Sequence, residues 1–349
     1  MKLYIDKENL LSLLNQGEKE IVSELYEEVI RLIKRHLDLI FNFDKKECLN
    51  NPLLLKWMNQ LSQGRGDTSS ADEFKRPPFP ERPIKNNFRT NLPWNVFYSA
   101  FLVDDEKVDA LKQQNSMLIG KVGEETSVLS SLFCNSSFDL HSLYNIQDKT
   151  TFDGWETLKK DGHIMPCSDI VIADRYLFSD ISRLESNLYK ILSLFAKGVQ
   201  KPKINIVFFS DSNDEVLRKS VCKRINEIFG KETKVKVTFV VYGNNRPHDR
   251  FILTNYRLFR SGDSFNYYDK SGYMVSKGLS LDVDSLANIN ACSLVSQIQK
   301  DMQDLCNNAT DRIFGAKESN FIKFLSGTNT VQALFPKKFR RRRPENNIK

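Results

Sequence analysis

The sequence has few cysteines, the residues that stabilise a fold through disulfide bonds or bound metal ions. Its 349 residues include six cysteines, and no two of them stand in a Cys-x-x-Cys pair. Because zinc and redox centres usually show such paired spacing, scattered cysteines indicate reduced, mostly buried thiols. We therefore expect neither a metal site nor a cofactor.

Long hydrophobic runs are also missing. No stretch approaches the roughly 18 apolar residues that a membrane span needs, and the first residues, MKLYID, contain no apolar segment of the signal-peptide kind. We expect a cytoplasmic protein without a membrane span. The apolar content of 40% and the 24 phenylalanines are sufficient for the core of one large domain or two smaller ones.

Positive charge is concentrated at one end of the chain. The formal net charge is +7, and residues 337–343 hold six cations. These cations are Lys337, Lys338, Arg340, Arg341, Arg342 and Arg343. Residues 337–349 are therefore predicted to be a basic tail. It either remains a solvated tail or binds nucleic acid or another polyanion, because consecutive arginines suit phosphate geometry.

The rest of the chain divides into three predicted parts. Residues 1–62 are predicted to be a helical module for a partner protein or for dimerisation, with apolar residues at helical spacing over 18–40 and a second helix over 52–62. Residues 63–87 are rich in glycine and then proline, which predicts a linker. Residues 88–336 are predicted to be an α/β domain, although 126–165 show no clear pattern.

The clearest alternation of strands and helices begins at residue 168. Strands are predicted over 170–173, 204–209 and 235–242, separated by helices over 181–197 and 212–229. Such an alternation favours a mixed, largely parallel sheet flanked by helices. Ligands of such sheets bind where strands end, and Asp174 and Asp211 follow two of these strands.

The segment that follows the third strand contains the best candidate site. His248 and Arg250 are two residues apart, so their side chains point the same way if this segment is extended. Histidine can attack or transfer a proton, and arginine offers a planar, bidentate charge. Together they predict a phosphate site.

The same residues resemble the motif of the phospholipase D superfamily, His-x-Lys-(x)4-Asp followed by Gly-Ser-x-Asn. The corresponding residues are His248, Arg250, Asn255, Gly262, Ser264 and Asn266, with arginine for lysine, asparagine for aspartate, and the last asparagine one position late. The resemblance covers about residues 165–290. It is greatest to a degenerate branch that includes the C-terminal domain of MIT-domain proteins and prokaryotic relatives, in which a strand ends in Asp-x-Tyr, here Asp174 and Tyr176.

The resemblance implies a phospholipase D-like fold and a metal-independent phosphodiesterase, most plausibly a nuclease. His248 would be the nucleophile and acid, Arg250 and Asn266 would hold phosphate with Ser264, Asp174 and Tyr176, and Asn255 would orient His248. Active relatives use two such histidines, and no second motif surrounds His36, His141 or His163. A homodimer would supply the second copy. The prokaryotic relatives resemble components of antiviral defence or mobile elements.

Two other interpretations remain open. The motif could belong to a catalytically inactive module that binds nucleic acid, nucleotide, lipid or protein. It could also be a salt-bridged corner that only stabilises the strand, because buried polar pairs serve that purpose in many folds.

Overall fold

In the part of the chain that the structure describes, the fold is mixed α/β, with two sheets flanked by helices. The computed structural model describes residues 1–18, 21–41, 43, 45–64, 99–106, 108–115, 117–198, 203–212, 214–242, 250–308 and 313–315. The predicted linker from residue 65 onward and the predicted basic tail over 337–349 lie outside these residues. None of the helices in the described ranges combines the length and apolar character needed to cross a bilayer.

Among the described residues, the N-terminal sheet contains four parallel strands in the order β2-β1-β3-β4. The strands are β1 (Lys2–Ile5), β2 (Asp38–Phe41), β3 (Ser99–Leu102) and β4 (Ile119–Gly120). The helices are α1 (Lys7–Gln16), α2 (Glu24–His36), α3 (Lys45–Leu49), α4 (Pro52–Gly64), α5 (Val108–Asn115) and α6 (Glu125–Ser130). Buried aliphatic side chains from α1, α2 and α4 pack with those of β1 and β3.

The prediction of a purely helical N-terminal module is therefore wrong, although the helix at Pro52 is confirmed. The helical spacing over 18–40 spans a break, because α2 begins only after Ser23, whose hydroxyl accepts a hydrogen bond from the Tyr26 amide at 3.3 Å. This N-cap satisfies one of the free amides at the helix start. Strands β1 and β2 have four residues each, too few for their period to stand out.

The larger sheet has eight strands within the described residues, in the order β12-β8-β7-β6-β9-β10-β11-β5. These strands are β5 (His141–Asn145), β6 (Asp169–Ala173), β7 (Lys203–Ser210), β8 (Lys234–Val241), β9 (Arg250–Leu253), β10 (Arg257–Ser261), β11 (Ser280–Ser285) and β12 (Ile313–Gly315). The associated helices are α7 (Glu156–Lys160), a 3-10 turn (Ile181–Arg183), α8 (Leu188–Gly198), α9 (Glu215–Phe229) and α10 (Ile289–Asn308).

Only part of this sheet is parallel. Strands β6, β7 and β8 are parallel and joined through α8 and α9, as the alternation predicted. The other described strands pair antiparallel with their neighbours, so the expectation of a largely parallel sheet is wrong. Antiparallel neighbours can be joined by short connections, as β9 and β10 are. Strand β9 also pairs antiparallel with β6.

Helices cover both faces of the parallel part. On one face, Ile206 and Phe208 of β7 pack with buried side chains of α8 and α9. On the other face, Val207 and Phe209 belong to a second cluster that includes Val295 of α10. Because successive strand residues point to opposite faces, β7 has to be apolar along its whole length when both faces are covered.

The turn between β9 and β10 joins the two sheets. Tyr256 is fully buried among side chains of the N-terminal core. Its hydroxyl donates to the Ser99 carbonyl at 3.0 Å and accepts from the Leu118 amide at 2.9 Å. This one side chain therefore bonds to the segments of β3 and β4.

Arg257, the next residue, is also fully buried, and its guanidinium binds the turn that follows α6. It donates to the carbonyls of Ser131, Leu132 and Phe133 at 2.8, 3.0 and 2.7 Å. Hydrogen bonds from an ionised donor are strong, so these three offset part of the cost of burying the cation. Burial still lowers the pKa of Arg257 below its usual value.

Candidate phosphate site

One edge of the large sheet gathers most of the polar residues predicted for the site. We call it the carboxyl edge, because β6 and β7 end there, followed by Asp174 and Asp211. Strand β9 runs opposite to β6, so its first residue, Arg250, lies at the same edge. Strand β10 ends there too, immediately before Gly262. These four residues therefore lie at one edge of the sheet.

Asp174 is buried at this edge and holds the surrounding loops by hydrogen bonds. Its carboxylate accepts from the Ser264 hydroxyl and the Phe265 amide, each at 2.8 Å, and from the Tyr176 amide at 2.9 Å. Burial raises the pKa of Asp174, while these hydrogen bonds and the nearby Arg250 act in the opposite direction. Asp174 therefore holds the loop after β10 against the end of β6 and faces no solvent.

Two guanidinium groups lie over the ring of Tyr176. The Cζ atoms of Arg175 and Arg250 lie 4.9 and 5.6 Å from the ring centroid. Arg175 is held by Asp211, with Nε 3.1 Å from Oδ2. Arg250 donates through Nη1 to the Gly262 carbonyl at 2.9 Å and is partly exposed. Arg175 was not among the predicted site residues, although it stands between the aspartate and tyrosine that mark the strand end.

Two predicted phosphate ligands have other roles. The Nδ2 group of Asn266 donates to the carbonyls of Tyr176 and Leu177 at 2.9 and 3.1 Å, which uses both of its hydrogens. Its Oδ1 is buried without a hydrogen-bond partner, and an acceptor does not attract phosphate. The Ser264 hydroxyl donates to Asp174. The roles predicted for Asn266 and Ser264 are therefore corrected from holding phosphate to shaping the loop.

Asn255 lies at the opposite end of β9 from Arg250. Its Oδ1 accepts from the amides of Ser168 and Asp169 at 2.8 and 3.2 Å, where β6 begins. Strand β9 ends at Leu253 and its four residues span about 10 Å, so Asn255 lies beyond the far end of the strand from Arg250. Asn255 therefore holds the start of β6, and its predicted role of orienting His248 stays a prediction.

His248 and the six cations of the tail lie outside the described residues, so their predicted roles stay predictions. Two other histidines have partners elsewhere. His141 Nε2 is 3.1 Å from Asp282 Oδ1. His163 is fully buried with Nε2 beside the Tyr144 hydroxyl, and the same hydroxyl donates to Asp161 at 2.6 Å. In the described part of the chain, no group of three or more His, Cys, Asp or Glu side chains is arranged to hold a metal ion.

Comparisons with known proteins give no family. No protein-family model matches the chain, and a search of curated proteins also finds no match. Among solved structures, the chain is similar to TrmBL2, described as an archaeal chromatin protein whose structure shows a novel mode of DNA binding. The identity is 11%, with 85% of this chain and 98% of that chain covered, and the TM-score of 0.25 carries no argument about fold or function.

Proposed function

We propose that the carboxyl edge binds a phosphodiester of nucleic acid in a phospholipase D-like domain. The observation that carries this proposal is the guanidinium of Arg250, which uses one N–H group on Gly262 and is partly exposed beside Tyr176. A guanidinium offers five donors in a planar fork that matches two phosphate oxygens. Its other N–H groups form no hydrogen bond with described residues.

The carboxylates near Arg250 already accept hydrogen bonds from other groups, so they compete little for the N–H groups of Arg250. Asp174 accepts three hydrogen bonds, and Asp211 pairs with Arg175. Asp263 accepts from the Ser276 hydroxyl at 2.8 Å. A phosphate oxygen can therefore bind Arg250 without first displacing an ion partner among the described residues.

The resemblance supplies the chemical step of this proposal. His248 attacks phosphorus, a P–O bond breaks, and the leaving oxygen takes a proton from a second histidine, that of another copy of the chain. Water then hydrolyses the phosphohistidine. Arg250 stabilises the charge on the phosphoryl oxygens, which is the usual contribution of arginine in such reactions. The homodimer that this requires is checked by light scattering of the purified protein.

A binding module without catalysis is the second candidate. Its supporting observation is that Asn266 and Ser264 use their hydrogens inside the protein, so fewer donors face a phosphate than the family motif provides. Such a site would bind nucleic acid through Arg250 and would not stabilise a transition state.

The test combines binding with cleavage. Wild type, Arg250→Ala, His248→Ala and the controls Arg224→Ala and His141→Ala are incubated with labelled DNA and RNA in EDTA. Arg224 lies in an exposed ion pair and His141 is hydrogen-bonded to Asp282, both away from this edge. We expect weaker binding for Arg250→Ala, loss of cleavage for both site variants, and unchanged behaviour for both controls.

Other outcomes separate the candidates. Binding that depends on Arg250 without any cleavage selects the binding module. Cleavage that persists in His248→Ala removes the histidine from the mechanism. Binding that is the same in wild type and Arg250→Ala overturns the proposed site.

A further inference from the structure

The side chain of Tyr176 is exposed at the carboxyl edge. It lies three residues after the end of the buried strand β6, and 41% of its surface is accessible. The backbone of Tyr176 is held in place, because its amide donates to Asp174 and its carbonyl accepts from Asn266. A tyrosine side chain has only two torsions, so an exposed ring on such a backbone loses little conformational freedom on binding.

We propose that Tyr176 stacks on an unpaired nucleobase, so that the ligand of the carboxyl edge is single-stranded nucleic acid. This inference rests on the proposed function and names the substrate class of the same site. The guanidinium groups of Arg175 and Arg250 lie within 6 Å of the ring centroid, and 41% of Tyr176 remains exposed beside them. A base that stacks on this exposed part therefore has phosphate donors next to it. Cationic grooves with exposed aromatic rings bind single strands in this way.

Duplex nucleic acid does not use this arrangement. Its bases are stacked on one another, and a ring can reach one only after the base is unpaired and unstacked. A duplex would therefore contact Arg250 through its backbone and gain nothing from Tyr176. A flexible single strand can place a phosphate on Arg250 and turn the adjacent base toward the ring.

The experiment separates base contacts from phosphate contacts. Fluorescence anisotropy measures binding of a short oligonucleotide, of the same length with abasic sites, and of its duplex, to wild type, Tyr176→Ala, Tyr176→Phe and Arg250→Ala. Tyr273→Ala is the matched control, because Tyr273 is 73% exposed on another loop. Circular dichroism confirms that each variant is folded.

We expect wild type to bind the base-containing strand about tenfold more tightly than the abasic strand, a typical effect of one stacked base. Tyr176→Ala should remove that difference, and Tyr176→Phe and Tyr273→Ala should retain it. If Tyr176→Ala weakens binding of both strands equally, or of neither, the stacking role is overturned while binding through Arg250 stands. If no oligonucleotide depends on Arg250, the proposed function itself fails.

Discussion

The two edges of the large sheet have opposite characters, although β9 and β10 connect them directly. At the carboxyl edge, Arg250 and Tyr176 are partly exposed, and Arg250 uses one of its N–H groups internally. At the opposite edge, which we call the joint, Asn255, Tyr256 and Arg257 are buried and hydrogen-bonded to the backbone of other segments.

This contrast separates binding from stability within one short hairpin. When a buried donor is removed, the carbonyl that it bonded is left without a hydrogen bond. When a partly exposed donor is removed, water takes its place. Substitutions at the joint should therefore change the free energy of unfolding, and substitutions at the carboxyl edge should change ligand binding. Arginines only seven positions apart should give opposite phenotypes.

The largest effect is expected for Arg257→Ala. Three carbonyls in the turn that follows α6 would lose their donor, and a cavity would remain, so the free energy of unfolding should fall by about 4 kcal/mol. Urea denaturation followed by circular dichroism measures it. Arg224→Ala is the control, because that arginine lies in exposed ion pairs. A loss no larger than that of the control would mean that the joint does not hold the sheets together.

Parts of both edges can be predicted from the sequence. The parts that cannot be predicted have physical reasons. The strands at 170–173 and 204–209 were found because their apolar runs lie between clear helical periods. Strand β10 was missed because Arg257 and Arg260 interrupt its apolar pattern, and one of these arginines is buried against a turn distant in sequence. Long-range partners of that kind leave no local signal.

The position of Asn255 has a different cause. The family resemblance suggested a role beside His248, but strand β9 separates Asn255 from residue 250. The placement of Asp174 and Asp211 at one edge was predictable from strand ends alone. Only the folded loop shows that the side-chain amide of Asn266 donates to backbone carbonyls.

The second prediction concerns the pH dependence of the interior beside the joint. Burial, together with the charge of Arg257, lowers the pKa of His163 to about 3. The unfolded chain takes up this proton below about pH 6.5 and the native state does not, so stability is complete above that pH and is lost as the pH falls toward 3. The expected loss is about 1.4 kcal/mol per pH unit.

His163→Gln isolates this contribution, because glutamine does not titrate. Urea titrations at pH 7 and pH 5 give the loss of unfolding free energy between these pH values for each protein. This loss should be about 2 kcal/mol smaller in the variant than in wild type. Equal pH dependence in the two proteins would exclude His163 as the responsible group.

The third prediction tests the structural role of Asn255 at the start of β6. Removing its side chain leaves the amides of Ser168 and Asp169 without their acceptor, so Asn255→Ala should lower the free energy of unfolding by about 2 kcal/mol. Nucleic-acid affinity per folded molecule should not change. Reduced affinity in a fully folded variant would return Asn255 to the site.

The smallest effect on stability and the clearest effect on binding are expected for Arg250→Ala. Its hydrogen bond to Gly262 and its contact with Tyr176 lie at a partly exposed edge, so the free energy of unfolding should fall by about 1 kcal/mol or less. If Arg250 neutralises one phosphate, the slope of log affinity against log salt for a single strand should become shallower by about 0.7. Arg250→Lys should keep the slope and lose affinity, because lysine retains the charge without the planar fork. An unchanged slope in Arg250→Ala would mean that this arginine serves the fold, as Arg257 does, and the contrast between the two edges would disappear.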